Sequence, residues 1–202
     1  MHDAPPRLSP SGNTDVIAPQ TIANDLLEFI RATRSESDLE RRRFWKALRF
    51  PLHELSQSQY STEENGYQAF TQELADTNWS YTVSFNEAGR VAGSKSVSLR
   101  FEHPDNRAEN TDIDLGPICE VDFDGYHSAL TQAGYLEGPP EPSRFEFENK
   151  AVTTFVFSRG DVHVWILTQQ EAAQPEAKRR HACVISVEAR TYSQSRKDEE
   201  QR

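Results

Sequence analysis

From Trp79 onward, apolar and polar residues alternate over several short stretches of the chain. The first stretch runs from Trp79 to Phe85 and the second from Val97 to Phe101, with every second residue apolar. Because successive side chains of a β-strand point to opposite faces, this period of two predicts strands with one buried and one wet face. The segment 89–93 begins and ends with glycine, and we predict that it joins the two strands as a hairpin.

The same alternation recurs later in the chain, except over 162–168, where Trp165 and Leu167 add apolar residues on the second face and predict a strand that is central or covered on both faces. Further strands are predicted over residues 119–123, 145–147, 152–157, 162–168 and 183–189. The strands 152–157 and 162–168 are separated by Ser-Arg-Gly-Asp, a sequence typical of a tight turn, so they are predicted to pair as a second hairpin. Strands that follow one another with short connections favour an antiparallel sheet.

Helical spacing is confined to four segments. The first helix is predicted over Thr21–Arg31, where apolar residues recur every three or four positions. Two more are predicted to start at capping boxes, Ser37 with Glu40 and Ser61 with Glu64. A short helix after residue 123 is predicted to stop at Gly134.

The predicted fold class is α+β, with N-terminal helices followed by a largely antiparallel sheet that contains an inserted short helix. The order also fits two α-β-β-β units, because Gly66-Tyr67 and Gly125-Tyr126 both stand at predicted helix starts. We expect one domain over residues 19–192, a disordered arm over 1–18 and a disordered tail over 193–202, since both ends are polar.

No apolar run reaches the roughly 20 residues that a membrane helix needs, so we expect no membrane association. The first residues lack the apolar core of a secretory signal, which favours the cytoplasm, or the periplasm if a signal was removed. Cys119 and Cys183 are far apart in sequence and fall at apolar positions of predicted strands, so we interpret them as unpaired buried residues. A disulfide is the alternative if the protein is exported.

Negative charge is concentrated in one part of the chain. The net charge is −10, and residues 101–150 contain twelve Asp or Glu against three basic residues, a local net charge of −9. Phosphate contacts dominate nucleic-acid affinity, so an acidic chain is a poor nucleic-acid binder and a better match for a basic protein. Residues 31–50 carry a net charge of +4, which indicates a solvated helix face or a docking surface.

We predict that the acidic segment places carboxylates on one face of the sheet, opposite its apolar residues. Four carboxylates on one sheet surface repel one another, and a cationic partner relieves that repulsion. Two nearby loop residues and one helix-capping residue extend the predicted partner-binding surface. Its members are Glu120, Asp122, Asp124, Glu146, Glu148, Asp112 and Asp114.

The alternatives involve metals. The segment Glu120–Gly125 matches the start of an EF-hand loop, but position twelve is Thr131 where calcium binding needs Glu. A metal-dependent hydrolase or nuclease is the second alternative. It would use Asp122, Asp124, Glu148 and Lys150. The nucleotide-binding glycine motifs are missing from the sequence, so we predict no cofactor and no catalytic residue.

These observations favour a non-enzymatic binding protein that engages a basic partner, such as a toxin or an effector. Immunity proteins, other small inhibitors and secretion chaperones share this size and charge. The order of helices and strands is similar in outline to that of type III secretion chaperones, although no motif carries a family assignment. A third hypothesis is a subunit of a larger assembly with Phe44 and Trp45 as contacts; the oligomeric state stays open.

Overall fold

The computed structural model describes residues 17–50, 66–87, 94–105, 113–119, 122–139, 152–170 and 182–191. Its helices are α1 (Pro19–Ala32), α2 (Arg41–Ala47) and α3 (Phe123–Gln132), with short 3₁₀ helices at Glu36–Asp38 and Gly116–Ile118. Helix α1 begins at a proline, which lacks the N–H that a first helical turn leaves unbonded. The predicted first helix is confirmed. The predicted capping box of the second helix is wrong, because Ser37 lies inside the 3₁₀ helix Glu36–Asp38, which has its own capping box of Ser35 and Asp38, and Glu40 is the N-cap of α2 without a side-chain cap bond.

Seven strands form one antiparallel sheet. They are β1 (Tyr67–Glu73), β2 (Ser80–Asn86), β3 (Lys95–Glu102), β4 (Leu136–Glu137), β5 (Val152–Arg159), β6 (Val162–Gln169) and β7 (Cys183–Thr191). Their order across the sheet is β1-β2-β3-β7-β6-β5-β4. The predicted α+β class and both predicted hairpins, β2–β3 and β5–β6, are confirmed.

One row of apolar side chains crosses the sheet and defines its covered face. Each member is the direct cross-strand partner of the next. The row is Phe70, Val83, Leu99, Val187, Ile166 and Phe155. Aromatic residues of the helices pack on this face: the ring of Phe44 lies 5.8 Å from that of Phe85, and Phe123 stacks on Phe155 at 3.8 Å. The core therefore lies between the three helices and the sheet.

The predicted third helix is wrong where the structure describes it, because Tyr67–Glu73 is strand β1. The capping residues Ser61 and Glu64 lie outside the described residues. Gln68 and Gln72 share the helix-facing side of β1, where Gln68 accepts a hydrogen bond from Trp45 Nε1 at 2.8 Å and Gln72 accepts one from the Tyr81 hydroxyl at 2.5 Å. These two polar residues on the covered face interrupt the apolar alternation of a strand. The remaining apolar residues are spaced as in a helix, which is why a helix was predicted.

The predicted strand over residues 119–123 is also wrong. Cys119 lies in a turn, Asp122 makes a single bridge to Cys183, and Phe123 starts helix α3. The two α-β-β-β units fail with it, because Gly66-Tyr67 opens a strand while Gly125-Tyr126 lies inside a helix. Residues 1–16 and 192–202, which include most of the predicted arm and the tail, lie outside the described residues.

Phe44 and Trp45 are both fully buried, so they are not available as contacts to another subunit. The basic residues of the 31–50 region instead pair with carboxylates close to them. Arg43 contacts Asp38 at 3.0 Å and Arg49 contacts Asp25 at 3.1 Å. These two arginines therefore pair with carboxylates of the helical region, Asp38 beside the 3₁₀ helix and Asp25 in α1.

Candidate functional site

Two adjoining cavities open at one end of the sheet, where β2 starts and β3 ends. Their volumes are about 610 Å³ and about 360 Å³, and both are lined by Thr77, Asn78, Trp79 and His103. Since Ser80 pairs with Glu102, the loop before β2 and the segment after β3 must lie side by side. We call the larger space cavity A, the smaller one cavity B and the two together the trough.

The loop between β1 and β2 is shaped by its own hydrogen bonds. Leu74 N–H donates to the Trp79 carbonyl at 2.8 Å, and the Thr77 hydroxyl donates to the Leu74 carbonyl at 3.2 Å. Asp76 has a φ of 59°, a left-handed conformation that Asp adopts more readily than most residues. This tight loop presents Asp76 and Asn78 to cavity B.

Trp79 and His103 form the partition that the two cavities share. The Trp79 side chain is almost completely buried, and its Nε1–H donates to the Asp114 carbonyl at 3.0 Å. The rings of Trp79 and His103 lie 5.1 Å apart. His103 Nδ1 accepts a hydrogen bond from Asp105 N–H at 3.1 Å, so a neutral His103 carries its proton on Nε2.

The trough is strongly acidic. Its described lining includes five carboxylates, namely Glu73, Asp76, Glu102, Asp105 and Asp114. One arginine, Arg100, lines cavity A, and its Nε lies 3.4 Å from a carboxylate oxygen of Glu102. Of the described residues, three aspartates line cavity B, and in cavity A one arginine lies beside a glutamate.

Cavity A also has an apolar wall. Val152, Leu167 and Ile185 come from three adjacent strands, β5, β6 and β7, and all three line this cavity. The register between β6 and β7 shifts between Leu167 and Thr168, which leaves Ile185 without a direct partner on β6. Such an extra residue is a β-bulge, and bulges redirect side chains near binding sites.

A disulfide holds one wall of the trough. Cys119 and Cys183 are bonded, with their Cα atoms 4.7 Å apart, so the interpretation of these residues as unpaired is wrong. Ile113, Asp114 and Pro117, just ahead of Cys119, line cavity B. The bond fixes the end of that segment to the first residue of β7, where Phe123 N–H also donates to the Ala182 carbonyl at 3.0 Å.

The predicted partner-binding residues do not share a sheet face where the structure describes them. Asp122 is the N-cap of α3, where its Oδ1 accepts from Gly125 N–H at 2.9 Å, and Asp124 lies in the first turn of that helix. Only Asp114 lines the trough, with its Oδ1 also accepting from Gly116 N–H at 2.9 Å. The remaining members lie outside the described residues. They are Asp112, Glu120, Glu146 and Glu148.

The metal-dependent alternatives gain no support from the described part of the chain. Within it, no group of three or more His, Cys, Asp or Glu side chains is arranged to hold a metal ion. Asp122, which both the calcium loop and the hydrolase hypothesis would use, already caps a helix. Glu148 and Lys150 lie outside the described residues.

Four carboxylates of the trough were not predicted from the sequence, namely Glu73, Asp76, Glu102 and Asp105. The available signal was the pair of polar stretches Ala-Asp-Thr-Asn before β2 and His-Pro-Asp after β3. Because the start of one strand of a hairpin faces the end of the other, these stretches had to meet. Recognising their common end of the sheet would have placed three of the trough's aspartate and histidine residues together.

No protein-family model, curated protein sequence or solved structure matches this chain. Among the helices that the structure describes, none has both the length and the apolar character needed to cross a membrane.

Proposed function

We propose that this protein is a non-enzymatic binding protein whose acidic trough engages a basic surface of another protein. The observation that carries the proposal is the described lining of the two adjoining cavities, in which five carboxylates stand with one arginine. Like charges held together on a surface repel one another, and a cationic partner removes that repulsion when it binds. The net charge of −10 adds long-range attraction to such a partner.

The class of binding protein that fits best is an immunity protein or other inhibitor of a basic toxin, or a secretion chaperone for a basic effector. In both cases a small acidic domain covers a positively charged surface of a larger protein. Electrostatic complementarity of this kind mainly raises the association rate and specificity, so binding should weaken as salt increases.

The test is a binding measurement with the purified partner identified by co-purification from the source cells. We expect the affinity to fall at least about tenfold in the variant D76N/D105N/D114N and to fall further as salt is raised. Asparagine keeps the shape of each side chain, tolerates the left-handed backbone of Asp76, and can still accept the bond from Gly116 at position 114.

The matched control is E28Q/E40Q/E137Q, which removes the same charge from exposed positions away from the trough. It should lower the affinity much less than the trough variant does. A partner that binds both variants equally well, or whose affinity is unchanged by salt, would overturn the proposal.

The Cys119–Cys183 disulfide favours a location where disulfides persist, such as the periplasm or the cell exterior, over a reducing cytosol. We expect both cysteines to resist alkylation in intact cells and to react only after reduction and denaturation. Rapid alkylation without reductant would instead place the protein in a reducing compartment.

A further inference from the structure

One buried polar side chain lines cavity A without a hydrogen-bond partner among the described residues. Gln169, the last residue of β6, is only 4 % exposed and belongs to the lining of this cavity. No described residue forms a hydrogen bond with its side-chain amide. By contrast, the hydroxyl of the preceding Thr168, which is also buried, donates to the Thr153 carbonyl at 3.2 Å. Buried polar groups are nearly always hydrogen-bonded, so we expect the Gln169 amide to bond a group that enters the cavity.

The register of the sheet surrounds this amide with apolar side chains. Val152 on β5 is the direct cross-strand partner of Gln169, and Leu167 lies two residues earlier on the same face of β6. Ile185, at the bulge of β7, completes the wall. A water molecule held by the amide would gain no hydrogen bond from these three side chains, whereas an ordered buried water usually has about three polar partners. A ligand with both polar and apolar parts matches this surface better.

The charged pair of cavity A lies apart from this wall. Arg100 and Glu102 stand on β3, two strands away from β6, and the Arg100 side chain is 64 % exposed. The Arg100 Nε lies 3.4 Å from a Glu102 carboxylate oxygen. A charged ligand group placed against the apolar wall would lose its hydration without a charged partner from β5 or β6 there. The part of the ligand that contacts the wall and the Gln169 amide is therefore neutral.

We propose that cavity A binds a small neutral carboxamide with an apolar body, a function separate from the recognition of a basic protein. A carboxamide presents an N–H donor beside a carbonyl acceptor, and the Gln169 side chain has the complementary acceptor and donors. The apolar body packs against Val152, Leu167 and Ile185, which removes apolar surface from water. The cavity volume of about 610 Å³ lies within the range of small-molecule sites.

The test compares four small molecules in NMR titrations of the isotope-labelled, oxidised protein. The reference is isocaproamide, a branched alkyl chain that ends in a carboxamide. Methyl isoamyl ketone has the same shape but lacks the N–H donors, isocaproate carries a negative charge, and acetamide lacks the apolar body. The side-chain amide signals of Gln169 report binding at the proposed contact itself.

We expect isocaproamide to bind at least about fivefold more tightly than each comparison molecule and to shift the side-chain amide signals of Gln169. Q169L, which keeps a similar size without the amide, should bind isocaproamide and methyl isoamyl ketone equally. V152A should weaken isocaproamide binding and leave acetamide binding unchanged. V156A is the matched control, because Val156 lies on the same strand outside the described lining of cavity A, and it should change neither.

Three results would overturn this inference. The first is that the wild-type protein binds isocaproamide no better than methyl isoamyl ketone, or does not bind it at all. The second is that the Gln169 signals stay unchanged while isocaproamide saturates the protein, and the third is that V152A and V156A have equal effects. None of these results bears on the proposed function, which the aspartate variants of cavity B test.

Discussion

The two ends of the sheet use their polar groups in opposite ways. At the end where β5 meets β6, the Arg159 guanidinium donates to the carbonyls of Arg31, Thr33 and Ala133, which end helices α1 and α3. The guanidinium also lies 4.3 Å from the Tyr135 ring centroid, and the Tyr135 hydroxyl donates to the Ile30 carbonyl at 3.0 Å. The charged and polar side chains at this end therefore donate hydrogen bonds to the carbonyl groups that a helix leaves unbonded at its C-terminus.

At the opposite end, carboxylates line the trough, and a covalent bond holds its wall. Burial raises the pKa of Tyr135, so at the Arg159 end the hydroxyl stays protonated as an internal donor. The Arg159 end therefore uses its polar groups inside the fold, whereas under the proposed function the trough end offers its carboxylates to a partner. If the two ends differ in this way, stability and partner binding should respond to different substitutions.

The largest expected effect is the loss of the disulfide. The variant C119A/C183A should lose about 4 kcal/mol of unfolding free energy, because the bond links residues 64 positions apart and restricts the unfolded chain. Urea denaturation of the variant and of the oxidised wild type measures the difference, and the wild type in reductant is the control. A loss below about 1 kcal/mol would show that the bond does not constrain the unfolded chain.

Hydrogen exchange of the same variant shows which part of the molecule the disulfide stabilises locally. Amides of Asp114–Cys119 should exchange faster, while those of Tyr135 and Arg159 should respond only through the global loss of stability. Equal local changes at both ends would contradict the separation, because the disulfide lies only at the trough end.

The second effect is the loss of Arg159. R159A should cost about 3 kcal/mol, since it removes the guanidinium's bonds to three carbonyl groups and its contact with the Tyr135 ring, and only the Thr33 carbonyl keeps a bond from the Tyr135 hydroxyl. R159K should recover only part of this, because an ammonium group cannot reach three carbonyls in the planar arrangement of a guanidinium. Thermal denaturation gives both values, and partner affinity of the folded variants should be unchanged.

The third effect separates the aspartates by role. D122A should cost about 1 kcal/mol of stability, because it removes the N-cap bond to Gly125 at the start of α3. It should not alter partner affinity, whereas D114N should lower affinity with little change in stability. R159K serves as a control of similar stability. If D122A loses partner affinity and R159K does not, Asp122 belongs to the partner-binding surface that was predicted from the sequence.

Most of the sheet was predictable because its strands are short apolar stretches with few breaks. Strands β2 and β3 carry apolar residues on one face only, whereas β5 and β6 also carry Val152 and Leu167 on the other face. Strand β1 was not predicted because Gln68 and Gln72 face the helices, where they form hydrogen bonds with Trp45 and Tyr81. Strand β4 was not predicted because it has only two residues. Polar residues that are buried with hydrogen-bond partners interrupt the alternation of apolar and polar residues from which a strand is predicted.

The candidate site was harder to predict than the fold. Asp114 was identified from local charge, but Asp76 and Asp105 belong to different loops that meet only through the pairing of β2 with β3. The disulfide was missed for the same reason, since whether two cysteines can bond depends on the distance between their Cα atoms in the fold. Charge density along the chain identified Asp122 and Asp124 as well, and they serve a helix start.

The smallest expected effect is a pH dependence at the Arg159 end, close to where Arg34 lies beside the Gly160 turn. The backbone N–H of Arg34 and the Arg43 guanidinium hold the pKa of Asp38 below its ordinary value, against the opposing effect of burial. A lowered folded-state pKa means that this stabilisation is complete above the unfolded-state pKa and is lost as pH falls through the folded-state pKa.

D38N should therefore be less stable than the wild type near pH 7, by under about 1 kcal/mol because the ion pair is solvent-accessible. Denaturation from about pH 7 down to about pH 2 should show this difference shrinking below the unfolded-state pKa near 4. A difference that is constant with pH would mean that the Asp38 carboxylate charge does not support this end of the molecule.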